Sequence, residues 1–165
     1  MPETERSRTC CFTGHRGIAP IHERRLPALV EKTVLDLLAE GINRFITGGA
    51  LGFDTLAAET VLRLREKHPA LHLTVVAPYL RQADGWEEPD RLRYERIRSG
   101  ADDFVVLRTR YTRACMRERN REMVDRSGIC VAYLLRAPSG TAQTVDYAIQ
   151  SGVAVIDLAG MLQEI

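Results

Sequence analysis

Three short stretches of this chain set small residues, hydroxyls and cations directly after apolar runs. They are Thr13-Gly14-His15-Arg16-Gly17, Thr47-Gly48-Gly49-Ala50-Leu51-Gly52-Phe53-Asp54 and Arg136-Ala137-Pro138-Ser139-Gly140-Thr141. Each has the chemistry of an anion cradle. Glycines let the backbone approach a ligand closely, and a forked guanidinium such as that of Arg16 can hold a phosphate or carboxylate through paired hydrogen bonds. Gly48, Gly49 and Gly52 fall between an expected strand and an expected helix, so their loop amides and the helix N-terminus can face a diphosphate. Their spacing is not that of the dinucleotide fingerprint. Ser139, Gly140 and Thr141 offer hydroxyls and amides at another expected helix start.

Each stretch also has a plainer reading. Thr13 to Gly17 reads equally as a turn with solvated charges, and His15 as a hydrogen-bonded structural residue. Asp54 would repel a phosphate, which leaves it to accept from sugar hydroxyls or to cap a helix, and Ser139 can be a simple N-cap. What favours a ligand is concurrence, since three such loops follow three strands. A fourth feature comes from helical geometry. In Met116-Arg117-Glu118-Arg119-Asn120-Arg121-Glu122-Met123, Arg119 and Asn120 share a face with two methionines, so their polar groups need partners on a packing surface. Either a structural pair bonded to carbonyls or an arginine directed at a phosphate satisfies that need.

The elements that must position these loops are legible from periodicity. Branched apolar runs at Thr9 to Thr13, Arg44 to Thr47, His72 to Ala77, Asp103 to Leu107, Ile129 to Leu135 and Val153 to Leu158 predict strands. Helical spacing predicts helices from Leu26 to Leu38, Asp54 to Lys67, Pro89 to Ser99, Arg113 to Arg126 and Thr141 to Gln150, with Gly41 and Gly152 as stops. The alternation implies an α/β, Rossmann-like three-layer fold, a mostly parallel sheet covered by helices on both faces. Right-handed crossovers then bring every strand's carboxyl end, and so all three loops, to one edge.

Composition bounds the function. The 165 residues fit one domain, 1–165, with residues 1–7 expected as a flexible extension. Net charge of +1 argues against nucleic acid as a partner, although arginines crowd the segment from Arg108 to Arg126. The apolar runs are too short to span a bilayer and MPETERSR lacks a signal-peptide core, so a cytoplasmic location and no membrane partner are expected. Cys10, Cys11, Cys115 and Cys130 show no metal-ligand spacing and read as reduced packing residues; no metal site is expected.

TGHR, GGALGFDTLAAE, PYLRQADGW, YTRACMRERNREMVD and PSGTAQTVDYA together resemble the YpsA-like branch of the SLOG superfamily, which joins the Smf/DprA and LOG proteins. The resemblance runs from about Arg8 to Val155. It implies a Rossmann-like fold, a homodimer, and a pocket for a nucleotide-derived ligand of the ADP-ribose or NAD type, with no cofactor required. On it, Gly14, Arg16, Gly48, Gly49, Gly52, Asp54, Arg119, Asn120, Gly140 and Thr141 match motif positions, while Trp86 and Tyr111 lie in connectors where they could cover a base. LOG enzymes cleave the N-glycosidic bond of a nucleotide, and Arg119 falls in the place of their catalytic arginine. Their glutamate is here Thr144, so the acidic half of that site is missing, and Asp54 and Glu59 are the remaining acidic candidates. A binding module therefore leads, with a nucleotide hydrolase as the enzymatic alternative. DprA-like single-stranded nucleic-acid binding is the third.

Overall fold

In the computed structural model, which describes residues 3–163, six strands form one sheet. They are β1 (Thr9–Gly14), β2 (Arg44–Thr47), β3 (His72–Ala77), β4 (Asp103–Val106), β5 (Ile129–Tyr133) and β6 (Ala154–Asp157). Their order is β4-β3-β2-β1-β5-β6, and every neighbouring pair is parallel. The chain thus winds outward from β1 in one direction through β4, then returns to the other side of β1 with β5. Because neighbours diverge there, the crevice above the β1/β5 junction is the topological switch point of the sheet.

Seven α-helices among the described residues accompany the strands: α1 (Glu3–Arg6), α2 (Leu26–Ala39), α3 (Phe53–Arg65), α4 (Glu88–Gly100), α5 (Cys115–Asp125), α6 (Gly140–Gln150) and α7 (Leu158–Gln163). Alternation along the strands feeds two cores. Cys10, Phe12, Phe45, Val131 and Tyr133 point to one face, where α2, α3 and α7 bring Val30, Val34, Phe53, Val61 and Leu158. Cys11, Ile46, Val76 and Cys130 point to the other, against Met123 and Val124 of α5 and Ala148 of α6. All four cysteines are buried and free. Among the described residues, no helix is long and apolar enough to cross a membrane.

Apart from shifts of one or two residues at the ends of other elements, the structure departs from the expected elements in three places. β5 stops at Tyr133, short of Leu135, because the Leu135 amide leaves the ladder to donate to the His15 ring at 2.9 Å. The last strand also ends sooner, since Leu158, Ala159 and Leu162 turn helical and bury themselves against the first core. Residues 1 and 2 of the expected flexible extension lie outside the described residues, but Glu3–Arg6 is helical and tied down. Arg6 Nε donates to the Ser127 carbonyl at 3.2 Å, and Glu5 pairs with Arg44 at 3.3 Å.

Tyr133 closes β5 and stacks on Phe53, with ring centroids 5.8 Å apart. Its hydroxyl accepts from the Ala19 amide at 3.1 Å and shares a hydrogen bond with His22 Nδ1 at 2.7 Å, which fixes the segment leading from the β1 loop into α2. Tyr133→Phe strips both partners of their hydrogen bond in a buried setting. The expected cost is about 1–3 kcal/mol, read as a lower urea midpoint at unchanged m-value.

Candidate ligand-binding site

The three loops do meet. Thr13 and Gly14 at the end of β1 with His15 and Arg16 after it, Ala50 before α3 and Asp54 in its first turn, Arg119 and Asn120 from α5, Arg136 and Ser139 ahead of α6, and Gly140 and Thr141 at its start line one cleft of about 330 Å³. It opens above the β1/β5 junction, and Met116 and Met123 contribute apolar wall.

Backbone proximity explains the glycines. Gly52 has φ of +82°, a region that favours glycine, and a Cβ there would fall on the Arg16 carbonyl. The neighbouring Phe53 amide donates to the His15 carbonyl at 3.1 Å, so the first two loops are joined main chain to main chain. A Cβ on Gly14 would lie 2.5 Å from the Phe53 ring, and one on Gly48 would lie 2.5 Å from Arg119 Nη1. Gly48, Gly49 and Gly52 are thus needed for how the loop packs, and none of the three lines the cleft wall.

Arg119 is 5% exposed, and its donors go to the protein. Nη1 reaches the Gly48 carbonyl at 2.6 Å and that of Val76 at 3.4 Å, while Nε reaches Asn120 Oδ1 at 2.8 Å. The structural reading of this helix face therefore holds for much of the guanidinium: it fastens α5 to the ends of β2 and β3. Burial pulls its pKa down, and Asp54 opposes that pull.

Asp54 is also 5% exposed and does not cap α3, whose N-cap is Gly52. Its Oδ2 accepts from the Ala50 amide at 3.2 Å, folding the glycine loop back on itself. Burial raises its pKa to about 6, against the opposing effects of Arg119, the Ala50 amide, Arg16 and the Gly48 amide. Asp54 is the one carboxylate that lines the cleft among the described residues.

His15 spends Nε2 as an acceptor for the Leu135 amide, which makes that nitrogen the unprotonated one. Burial, followed by the charge of Arg136, pushes its pKa down and keeps the ring neutral. It is a clamp between the first and third loops. Ser139 caps α6 by accepting from the Ala142 amide at 3.0 Å, with its own proton donated to the Arg136 carbonyl at 2.8 Å. That leaves the first amides of α6, at Gly140 and Thr141, at the cleft without carbonyls of their own helix to meet.

Other expected site residues lie elsewhere. Trp86 packs edge-on against Tyr94 at 5.4 Å, and Tyr111 stands against Tyr79 at 5.5 Å; both belong to connections on the β3/β4 side and neither lines the cleft. Glu59 is bound by Arg93 across α3 and α4 and is also absent from the wall. Thr144 donates to the Gly140 carbonyl at 2.8 Å and faces a separate groove between α5 and α6. Arg136 was missed as a site residue, although its place at the start of the third loop, directly after β5, was its signal. Neither Arg16 nor Arg136 is held in an ion pair among the described residues, while many other arginines of the surface are.

A family model, YpsA, described as the YspA SLOG family, matches residues 22–151. The chain belongs to the YspA SLOG family. Its relatives include a UPF0398 protein of Halalkalibacterium halodurans, 35% identical over 122 residues, an alignment covering 72% of this chain and 62% of that protein. This chain therefore spans less than two thirds of that relative's length. The SPbeta prophage-derived protein YoqJ of Bacillus subtilis is 30% identical over 136 residues, covering 75% and 78%. Among solved structures, DNA processing protein A from Helicobacter pylori, described for its single-stranded DNA binding mode, superposes with a TM-score of 0.61 at 16% identity. That superposition covers 94% of this chain and 71% of the other. The same protein from Streptococcus pneumoniae gives 0.52 at 14% identity, covering 94% and 60%. These likenesses carry the Rossmann-like fold.

The raised pKa of Asp54 has a signed consequence for stability. The folded state holds this proton more tightly than the unfolded chain, so the group's contribution is fully present below the ordinary value of 3.8 and is lost as pH rises through about 6. In Asp54→Asn that loss is gone. The difference in unfolding free energy between variant and wild type should move by roughly 2–3 kcal/mol in the variant's favour between pH 4 and 7, measured by urea denaturation at several pH values.

Proposed function

We propose that this protein binds a nucleotide-derived small molecule, of the ADP-ribose type, with its phosphate in the cleft above the β1/β5 junction. One observation carries the reading: Arg16 and Arg136, neither in an ion pair among the described residues, flank the open start of α6 in a cleft at the switch point of the sheet. An anion there meets two guanidinium groups, unpaired helix-start amides and the favourable end of the helix dipole. Asp54, in the same lining, would accept from sugar hydroxyls.

Binding is preferred over cleavage of the glycosidic bond because α6 contributes no carboxylate to the cleft. Thr144 stands where a LOG enzyme has glutamate, and it faces another groove with its hydroxyl donated to a main-chain carbonyl. Stabilising an oxocarbenium-like transition state and activating a water would then both fall to Asp54, whose Oδ2 already holds the Ala50 amide. Phosphate contacts without that charge contribute affinity and little rate.

A second reading is single-stranded nucleic acid. The fold is shared with a protein described for binding single-stranded DNA, which weighs against excluding nucleic acid from a net charge of +1. Such a partner would give oligonucleotide affinity that falls steeply with salt.

Calorimetry with ADP-ribose tests the leading reading. The wild type should bind one equivalent, and Arg16→Ala should weaken binding by more than tenfold, the loss expected on removing one charge-assisted anion contact. Equal affinity in the two proteins would reduce Thr13 to Gly17 to a strand end with a solvated turn.

A further inference from the structure

Beside the cleft, and sharing Asn120 with it, a groove of about 250 Å³ runs between α5 and α6. Arg121, Gln143, Asp146 and Tyr147 line it, and nothing in the phosphate chemistry above uses them. Their hydrogen-bonding capacity forms a pattern. Asn120 Oδ1 accepts from Arg119 Nε, and its NH2 group remains as a donor. The Gln143 side chain is exposed at the groove and offers both a donor and an acceptor. Asp146 is exposed and outside every ion pair of the described residues, so it offers acceptors alone. The guanidinium of Arg121 lies 4.9 Å from the centroid of the Tyr147 ring, and that ring is held by its hydroxyl donating to Asp125 Oδ1 at 2.6 Å. The cation of Arg121 is therefore placed over an aromatic ring at the groove. A guanidinium so placed can serve as a stacking surface for a base.

We infer that the groove between α5 and α6 is a nucleobase subsite for a base carrying an exocyclic amine, adenine being the type. This rests on the reading of the cleft as a phosphate site. The amine would donate to Asp146 and a neighbouring ring nitrogen would accept from Gln143 or Asn120, while the ring stacks on Arg121. The inference also supplies what the cleft lacks. Trp86 and Tyr111, the aromatic residues expected to cover a base, both stand on the β3/β4 side. Asn120 instead joins phosphate cleft to groove directly, on the α6 side where the phosphate is held.

The distinguishing pair of ligands is AMP and IMP, which differ in whether an amine or a carbonyl projects from the base. Calorimetry on the whole chain should give AMP an advantage of about tenfold over IMP, the discrimination that one well-placed polar contact supplies. Asp146→Asn, a change at an exposed residue, should bring the two ligands to within about twofold, since an amide can donate to the carbonyl of IMP. Ribose 5-phosphate should bind wild type and variant alike. Equal binding of AMP and IMP by the wild type, or a preference that survives Asp146→Asn, overturns the base subsite even where Arg16→Ala abolishes binding and the phosphate reading stands. Failure of the wild type to bind AMP, IMP or ADP-ribose rejects both.

Discussion

A buried guanidinium must be surrounded by acceptors, and in this fold that requirement falls on Arg119. It meets the carbonyls of Gly48 and Val76 and the side chain of Asn120, which come from the end of β2, from β3 and from α5 itself. To reach Gly48 it needs the space a Cβ would take, so the glycine and the arginine are one device. Its charge in turn keeps the Asp54 pKa from rising as far as burial alone would drive it, and Asp54 holds the glycine loop shut through the Ala50 amide. The cleft is the space left over once these demands are met. Removing the charge of Arg119 strands carbonyls and a carboxylate together, which is costlier than the loss of any one surface ion pair.

Fixing the cleft floor internally has a chemical corollary. The groups that would engage a ligand are the ones the interior does not consume: Arg16, Arg136, the first amides of α6, and the faces of Asp54 and Asn120 turned to the opening. Buried polar groups here assemble the cleft, and the exposed ones are left open to a ligand. This separation suits a module whose ligand supplies the counter-charges, and it fits poorly with hydrolysis, which demands a free carboxylate at the reacting carbon.

The fold was readable because its strands are buried on both faces and its helices are amphipathic, two periodicities that differ sharply. β2 and β3 begin and end where the apolar runs do. What periodicity could not give was the end of β5 and the whole of α7. Leu135 is as apolar as its neighbours, and its departure from the ladder depends on His15, a residue 120 positions away. The site was readable at the level of loops, since small residues after strands announce themselves, and it was not readable at the level of atoms. Nothing local distinguishes an arginine whose donors are spent on carbonyls, as in Arg119, from one left open, as in Arg136. Trp86 and Tyr111 looked like base covers because aromatic residues in connectors are conspicuous, while the polar side chains of the α5–α6 groove read as ordinary surface.

The clamp between His15 and the Leu135 amide joins the first strand's loop to a segment 120 residues later, and Arg119 reaches back across 71 residues to Gly48. No piece of the cleft is local. A chain in which β5 and α6 have come away from β1 loses Arg136, Ser139, Gly140 and Thr141 from the cleft wall, so an intact cleft requires the docking of β5 and α6. Any molecule that occupies the cleft favours that docked state and raises the temperature at which the whole domain melts, by an amount set by its concentration relative to its dissociation constant. Ligand supply would then set the domain's lifetime, a saturated population resisting unfolding and an empty one yielding to it.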